Sequence, residues 1–166
     1  MYTIISGTNR PNSKTLHIAK LYQLLLTQRG LDARLLSLEG LNVLVRNPVF
    51  EEIERELLIP TLRFIFVSPE YNGSIPGVLK CMFDISDIER AWQGKKALLT
   101  GVSSGRAGNL RGMEHLTGIL NYMKVTVHHN KLPISSVHTL LNADGEVEDL
   151  RTVDVINLQL DEFLEF

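Results

Sequence analysis

Cysteine, long apolar runs and an excess of either charge are all lacking in this chain, and each lack removes a class of protein. With one cysteine, Cys81, among 166 residues, no intramolecular disulfide can form, and a reducing compartment is expected. No apolar run approaches the roughly 20 residues that a bilayer-spanning helix needs, so no membrane association is expected. The 17 Lys and Arg against 19 Asp and Glu leave a formal net charge of -2. That field is too weak to gather nucleic acid or an anionic membrane, and no basic cluster is interleaved with aromatics. The opening Met1–Arg10 already reads as a strand entering a turn, without the charged and apolar regions of a secretory leader. What is present, 44% hydrophobic and 22% charged residues, suits a soluble cytoplasmic protein able to bury a core.

Strand and helix patterns alternate along the whole chain. Tyr2–Ser6 is a short apolar run closed by Gly7 and the turn residues Asn9–Asn12. From Ser13, apolar residues recur at helical spacing until Gly30. Ala33–Leu38 reads as a second strand, and Pro48 opens a Glu-rich helix that ends before Pro60. Arg63–Ser68 reads as a strand whose apolar residues Phe64–Val67 run on without alternation, as a strand buried on both faces would. A helix is expected over Pro76–Ala91, a strand over Ala97–Val102 and a helix over Leu110–Met123. A fifth strand starts at Val125–His128 with a kinked continuation at Leu132–Ile134, and an amphipathic helix covers Val147–Phe166. Five strands alternating with helices predict an α/β fold: a three-layer α/β/α sandwich on a five-stranded parallel sheet. No repeat, linker or low-complexity segment interrupts it, so a single domain is expected over residues 1–166.

Three loops stand out, each directly after a predicted strand: Gly7–Thr15, Pro69–Gly77 and Ser103–Gly112. In an open parallel sheet, ligands bind beyond the carboxyl ends of strands, where the strand order reverses. With the flavodoxin-like order 2-1-3-4-5 the reversal falls between strands 1 and 3, and all three loops meet at one crevice. The first loop suits a phosphate monoester. Ser13 is a good N-cap, Ser13, Lys14 and Thr15 present N–H groups at a helix start, and Thr8 and Arg10 add a hydroxyl and a planar cation. Neither the P-loop spacing nor G-x-G-x-x-G is present, which points to a mononucleotide. In the second loop, glycines allow close backbone approach to a flat ligand, and Tyr71 adds an aromatic face. The third adds small side chains, N–H donors and the cations Arg106 and Arg111.

At these residues the chain resembles the NADPH-dependent FMN reductase family, a flavodoxin-like group of flavin, quinone, azo-dye and chromate reductases. The pattern G-[ST]-x-R-x-x-S matches Gly7, Thr8, Arg10 and Ser13. The pattern P-E-Y-N-x-[ST]-x-P-G-x-L-K matches Pro69, Glu70, Tyr71, Asn72, Ser74, Pro76, Gly77, Leu79 and Lys80. The resemblance implies FMN as cofactor, with Thr8, Arg10, Ser13, Lys14 and Thr15 around its phosphate. It implies that Pro69, Glu70, Tyr71, Asn72 and Gly73, with Ser103, Ser104, Gly105 and Arg106, line the isoalloxazine. It further implies NADPH or NADH as co-substrate, a small-molecule electron acceptor, and a homodimer or homotetramer. Two departures are visible. Lys14 and Thr15 stand where Asn is common after the serine, and Thr15 still offers a donor. The segment Glu39–Pro48 is short for the family, whose longer loop there shapes the mouth of the site.

Other residues invite readings that their context opposes. His128–His129 is placed on a strand, where neighbours point to opposite faces, so no metal site is expected. Cys81 reads as a small buried hydrophobe, Trp92 as a packing residue, and the Glu51–Glu56 run as a solvated helix face. Ser103–Ser104 lacks the G-x-S-x-G elbow of an esterase. No side chain is required as a general acid or base, because a flavin carries the chemistry itself. The competing function is a flavodoxin-type electron carrier, or a flavin-binding protein without reductase activity. A net charge of -2 is low for such a carrier's protein docking.

Overall fold

The computed structural model describes residues 1–166. Its elements run β1 (Tyr2–Ser6), α1 (Lys14–Gln28), β2 (Ala33–Ser37), α2 (Pro48–Ile53), β3 (Arg63–Pro69), α3 (Gly77–Ile85), α4 (Ile88–Ala91), β4 (Lys96–Val102), α5 (Leu110–Tyr122), β5 (Thr126–Val127), β6 (Leu132–Ile134) and α6 (Leu150–Glu165). The sheet is parallel, in the order β2-β1-β3-β4-β5, with β6 also pairing to β4. The expected kinked fifth strand is thus one edge position filled twice. β5 pairs with Lys96 and Ala97 at the start of β4, β6 with Thr100–Val102 at its end. No helix is long and apolar enough to cross a membrane.

Strand periodicity divides the apolar residues between two cores. Ile5, Phe64, Phe66, Ala97 and Leu99 face α2, α3 and α5. Their neighbours Ile4, Ile65, Val67 and Leu98 face α1 and α6. Because successive side chains point to opposite faces, a strand covered on both sides has to be apolar throughout. That explains the unbroken run in β3.

Two helices depart from their sequence pattern. The helix predicted over Pro76–Ala91 breaks at Ser86 and Asp87. There the Ser86 hydroxyl donates to Phe83 O at 2.8 Å and accepts Trp92 Nε1–H at 2.6 Å. Asp87 then caps α4 by accepting Arg90 N–H at 3.1 Å. Trp92 is fully buried beside Phe64, 4.8 Å between centroids, and Phe83, 5.1 Å, so its packing role stands. The second departure follows α2, where Glu54–Leu58 winds on as a π-helix. Glu54 is 3% exposed, which corrects the solvated-face reading at that position. It pairs with Arg46 Nη2 at 2.5 Å and accepts Asp87 N–H at 2.6 Å, so a buried carboxylate joins three segments. The flanking Glu51, Glu52 and Glu56 are exposed.

Lys95, 7% exposed, closes the far end of the π-helix by donating to Leu58 O at 2.7 Å and Ile59 O at 2.8 Å. Burial pushes its ammonium down to about 8. The unfolded chain keeps an ordinary lysine, near 10.4, so between these values folding releases a proton and stability rises with pH. Wild-type protein should therefore gain on the order of 2 kcal/mol over Lys95→Met between pH 8 and pH 10. Urea midpoints at both pH values measure the gap, and a constant gap would mean that the amine titrates as in water.

Candidate functional site

Parallel pairing brings three loops to the carboxyl edge of the sheet. β1 lies between β2 and β3, with Ser6 level with Ser37 on one side and Val67 on the other. The connections from β1 depart over opposite faces here, and a cleft of about 300 Å³ opens between the loops after β1, β3 and β4. Of the residues predicted for the site, Thr8, Arg10, Ser13, Lys14 and Thr15 line it from the first loop. Pro69, Glu70 and Tyr71 line it from the second, Ser103 and Ser104 from the third.

The first loop carries the local chemistry that an anion would need. Ser13 Oγ accepts Leu16 N–H at 3.1 Å and caps α1. The N–H groups of Lys14 and Thr15 open this 15-residue helix without an intrahelical acceptor. Thr15 is 3% exposed and lines the cleft. Neither Arg10 nor Lys14 forms an ion pair within the chain. Cations, hydroxyls and the positive end of a helix therefore converge, and no ion pair within the chain ties up either cation.

The second loop is tied directly to the first. Tyr71 OH lies 2.6 Å from Thr8 Oγ1, and the Arg10 guanidinium sits 4.2 Å from the Tyr71 ring centroid. Asn72 and Gly73, expected to line the site, instead form its supporting turn. Tyr71 and Ser74 exchange hydrogen bonds of 2.9 and 3.1 Å across them, with φ of 52° and 78°. Both central residues are left-handed, the conformation of a type I′ hairpin turn and the reason for an Asn-Gly pair.

The third loop turns away after two residues. Ser103 Oγ donates to Gly105 O at 2.9 Å and accepts Gly108 N–H at 3.0 Å. Gly105 O also accepts Ser136 N–H at 2.9 Å. Gly105 and Arg106 are exposed and do not line the cleft, because the loop folds onto the β6 connection. Sequence reasoning in turn missed Pro11, Asn12, Val102 and Val137, which do line it. Asn12 was visible as a turn residue. Val137 arrives from a 3₁₀ turn after β6, for which no local pattern gave a signal.

A second cleft of about 560 Å³ shares Tyr71 with the first. Its walls include Leu41, Val43 and Leu44 from the short segment after β2, with Val78 and Cys81 from α3. Cys81 is half-buried rather than enclosed, since its helix face borders this opening.

Comparisons with known proteins bear on the family and the fold. The family described as NADPH-dependent FMN reductase matches residues 2–139. The NAD(P)H-dependent FMN reductase PA1204 of Pseudomonas aeruginosa is 33% identical over 109 residues, 64% of this chain and 59% of that protein. A 2-hydroxy-1,4-benzoquinone reductase of Burkholderia sp is 31% identical over 93 residues, 52% of this chain and 51% of that protein. The aligned parts thus span only a little over half the length of these relatives. Among solved structures, FerB of Paracoccus denitrificans, a flavoenzyme NAD(P)H:(acceptor) oxidoreductase, superposes with a TM-score of 0.82 at 23% identity. The match covers 99% of this chain and 94% of that one. A flavodoxin from the domain Archaea superposes with a TM-score of 0.69 at 15% identity. Both show a flavodoxin-like fold.

The floor under the third loop has no spare volume. A Cβ at Gly101 would lie 2.0 Å from Gly108 O, and one at Gly108 would lie 2.5 Å from Pro133 Cβ. Gly101→Ala should destabilise the protein by about 1–3 kcal/mol through overpacking and displace Ser103 from the cleft. Guanidinium denaturation of the variant checks this, and a loss under about 0.5 kcal/mol would show a loop with room to shift.

Proposed function

The chain belongs to the NADPH-dependent FMN reductase family, and we propose that it binds FMN in the three-loop cleft and works as an NAD(P)H oxidoreductase. In this reading NADPH or NADH is the electron donor, and a small molecule such as free flavin or a quinone is the acceptor. The observation that carries it is the start of α1, with Arg10 and Lys14 free of ion pairs, opening into the same cleft as Glu70–Tyr71 and Ser103–Ser104. A phosphate monoester fits the first feature and the edge of a planar ring the second.

The residues divide the work as follows. Lys14 N–H, Thr15 N–H and the hydroxyls of Thr8, Ser13 and Thr15 hold the phosphate, and Arg10 supplies its counter-charge. The Thr8–Tyr71 contact links the phosphate end to the ring end, so the two are positioned together. Pro69–Tyr71 and Ser103–Ser104 border the ring, the Asn72–Gly73 turn fixes Tyr71, and Gly105 and Arg106 act only through the third loop's shape. When bound, FMN supplies two-electron redox chemistry; the chain itself binds, orients and keeps the ring partly covered. The apolar cleft beside Tyr71 suits the flat, weakly polar acceptors that a quinone reductase handles. The same reading places the protein in the cytoplasm as a homodimer or homotetramer, consistent with the exposed apolar side chains Leu44, Val45 and Tyr122.

The purified protein should show flavin absorption that bleaches promptly on anaerobic addition of NADPH or NADH. Bleaching with dithionite alone would favour an electron carrier, and failure to bind added FMN would end the proposal. Arg10→Ala should weaken FMN binding roughly tenfold or more, the worth of a lost charge-assisted contact. Fluorescence titration of the apoprotein with FMN measures it, with unchanged affinity placing the phosphate elsewhere.

A further inference from the structure

The interrupted edge strand brings together three groups that the FMN reading does not use. β5 ends at Val127, so His128 and His129 lie not on a strand, as the sequence suggested, but in the turn that leads to β6. Their imidazoles are 4.4 Å apart between centroids, on the same side, and the opposite-face argument against a shared ligand does not apply. Glu162, from the last turns of α6, completes the group: one donor atom from each of the three residues lies within 4.8 Å of the others.

We propose that His128, His129 and Glu162 form a structural site for a divalent transition metal of the zinc class, clamping the β5–β6 turn to α6. Two imidazoles and one carboxylate suit Zn²⁺, Co²⁺, Ni²⁺ or Cu²⁺ far better than Mg²⁺ or Ca²⁺, which take oxygen ligands. Tetrahedral coordination at about 2.0–2.1 Å sets donor atoms about 3.3 Å apart, so the group must contract by roughly 1.5 Å. His129 is exposed and Glu162 half-buried, and both can rotate to close it, with water as fourth ligand.

The surroundings resemble the outer shell of a metal centre. Asn130 Nδ2 donates to Glu162 Oε2 at 2.7 Å and so orients the carboxylate. Asn130 O in turn accepts Gln159 Nε2–H at 2.8 Å, holding the turn on α6 in register. His128 is 2% exposed, against Phe163 and Phe166 at 5.9 and 4.9 Å between centroids. The one hydrogen bond on either imidazole is a long one, Asn130 N–H to His128 Nδ1 at 3.3 Å, so little is displaced on binding. His128 N–H bonds Ala97 O at 2.8 Å, near the amino end of β4, whereas the three-loop cleft borders Val102 at its carboxyl end. The metal lies at the opposite edge of the sheet from the redox site, so its role is to hold the fold.

Titration of the untagged, chelator-treated full chain with Co²⁺ should show one equivalent bound with the visible bands of tetrahedral cobalt. Zn²⁺ should displace it and raise the thermal midpoint. His129→Ala and Glu162→Gln, both at positions with solvent access, should each weaken binding at least tenfold, and Asn130→Ala by roughly 10-fold. His138→Ala, outside the group, should bind as wild type. No stoichiometric binding, or binding undiminished in both His129→Ala and Glu162→Gln, would overturn the site.

Discussion

The pairing of β1 with β2 on one side and β3 on the other is the constraint from which the rest follows. Once β1 is internal, α1 must cross back over one face to reach β2. The connection from β2 to β3 must then pass β1 on the other face. The two paths separate at the carboxyl end of β1 and leave a gap that no backbone fills. The loop after β1, the start of α1 and the ends of β3 and β4 face that gap because the register puts Ser6, Val67 and Thr100 side by side.

A buried polar network fixes how the helices sit on this sheet. Tyr22 OH, from α1, lies 2.7 Å from Thr100 Oγ1 on β4 and donates to Gln159 Oε1 on α6 at 2.5 Å. Burial pushes the Tyr22 phenol well above its ordinary value, so it keeps its proton and stays a donor. Gln159 then passes the constraint on to Leu99 O and Asn130 O. In a fully buried setting each of these groups would be costly if left alone. Together they set the rotation of α6, which aims Glu162 at the turn carrying His128 and His129.

Much of this was legible from residues alone. The continuous apolar run Phe64–Val67 within Arg63–Ser68 declared a strand covered on both faces, and Ser13 followed by helical periodicity declared a capped helix. The order of the three loops along the chain put them together at the carboxyl edge of the sheet, where they border one cleft. Where placement differs from expectation, long-range partners are the cause in two cases. Gly105 and Glu54 were judged by residue type, yet where they sit depends on other segments: Ser136 for Gly105, Arg46 and Asp87 for Glu54. The break at Ser86 likewise depends on Trp92 finding an acceptor, which periodicity cannot show.

The sequence by itself determined the alternation of elements, the two-faced burial of the central strands, and the donors and cations of the loop after β1. These rest on local spacing: period 2, period 3.6, and a cap followed by free N–H groups. Only the tertiary structure decided which loop residues reach the cleft, that Val137 joins them, and that two adjacent histidines face one way beside a carboxylate 33 residues further along. Those outcomes depend on where the edge strand stops and how α6 is rotated. Both are set by long-range packing and buried hydrogen bonds that leave no mark on the spacing of neighbouring residues.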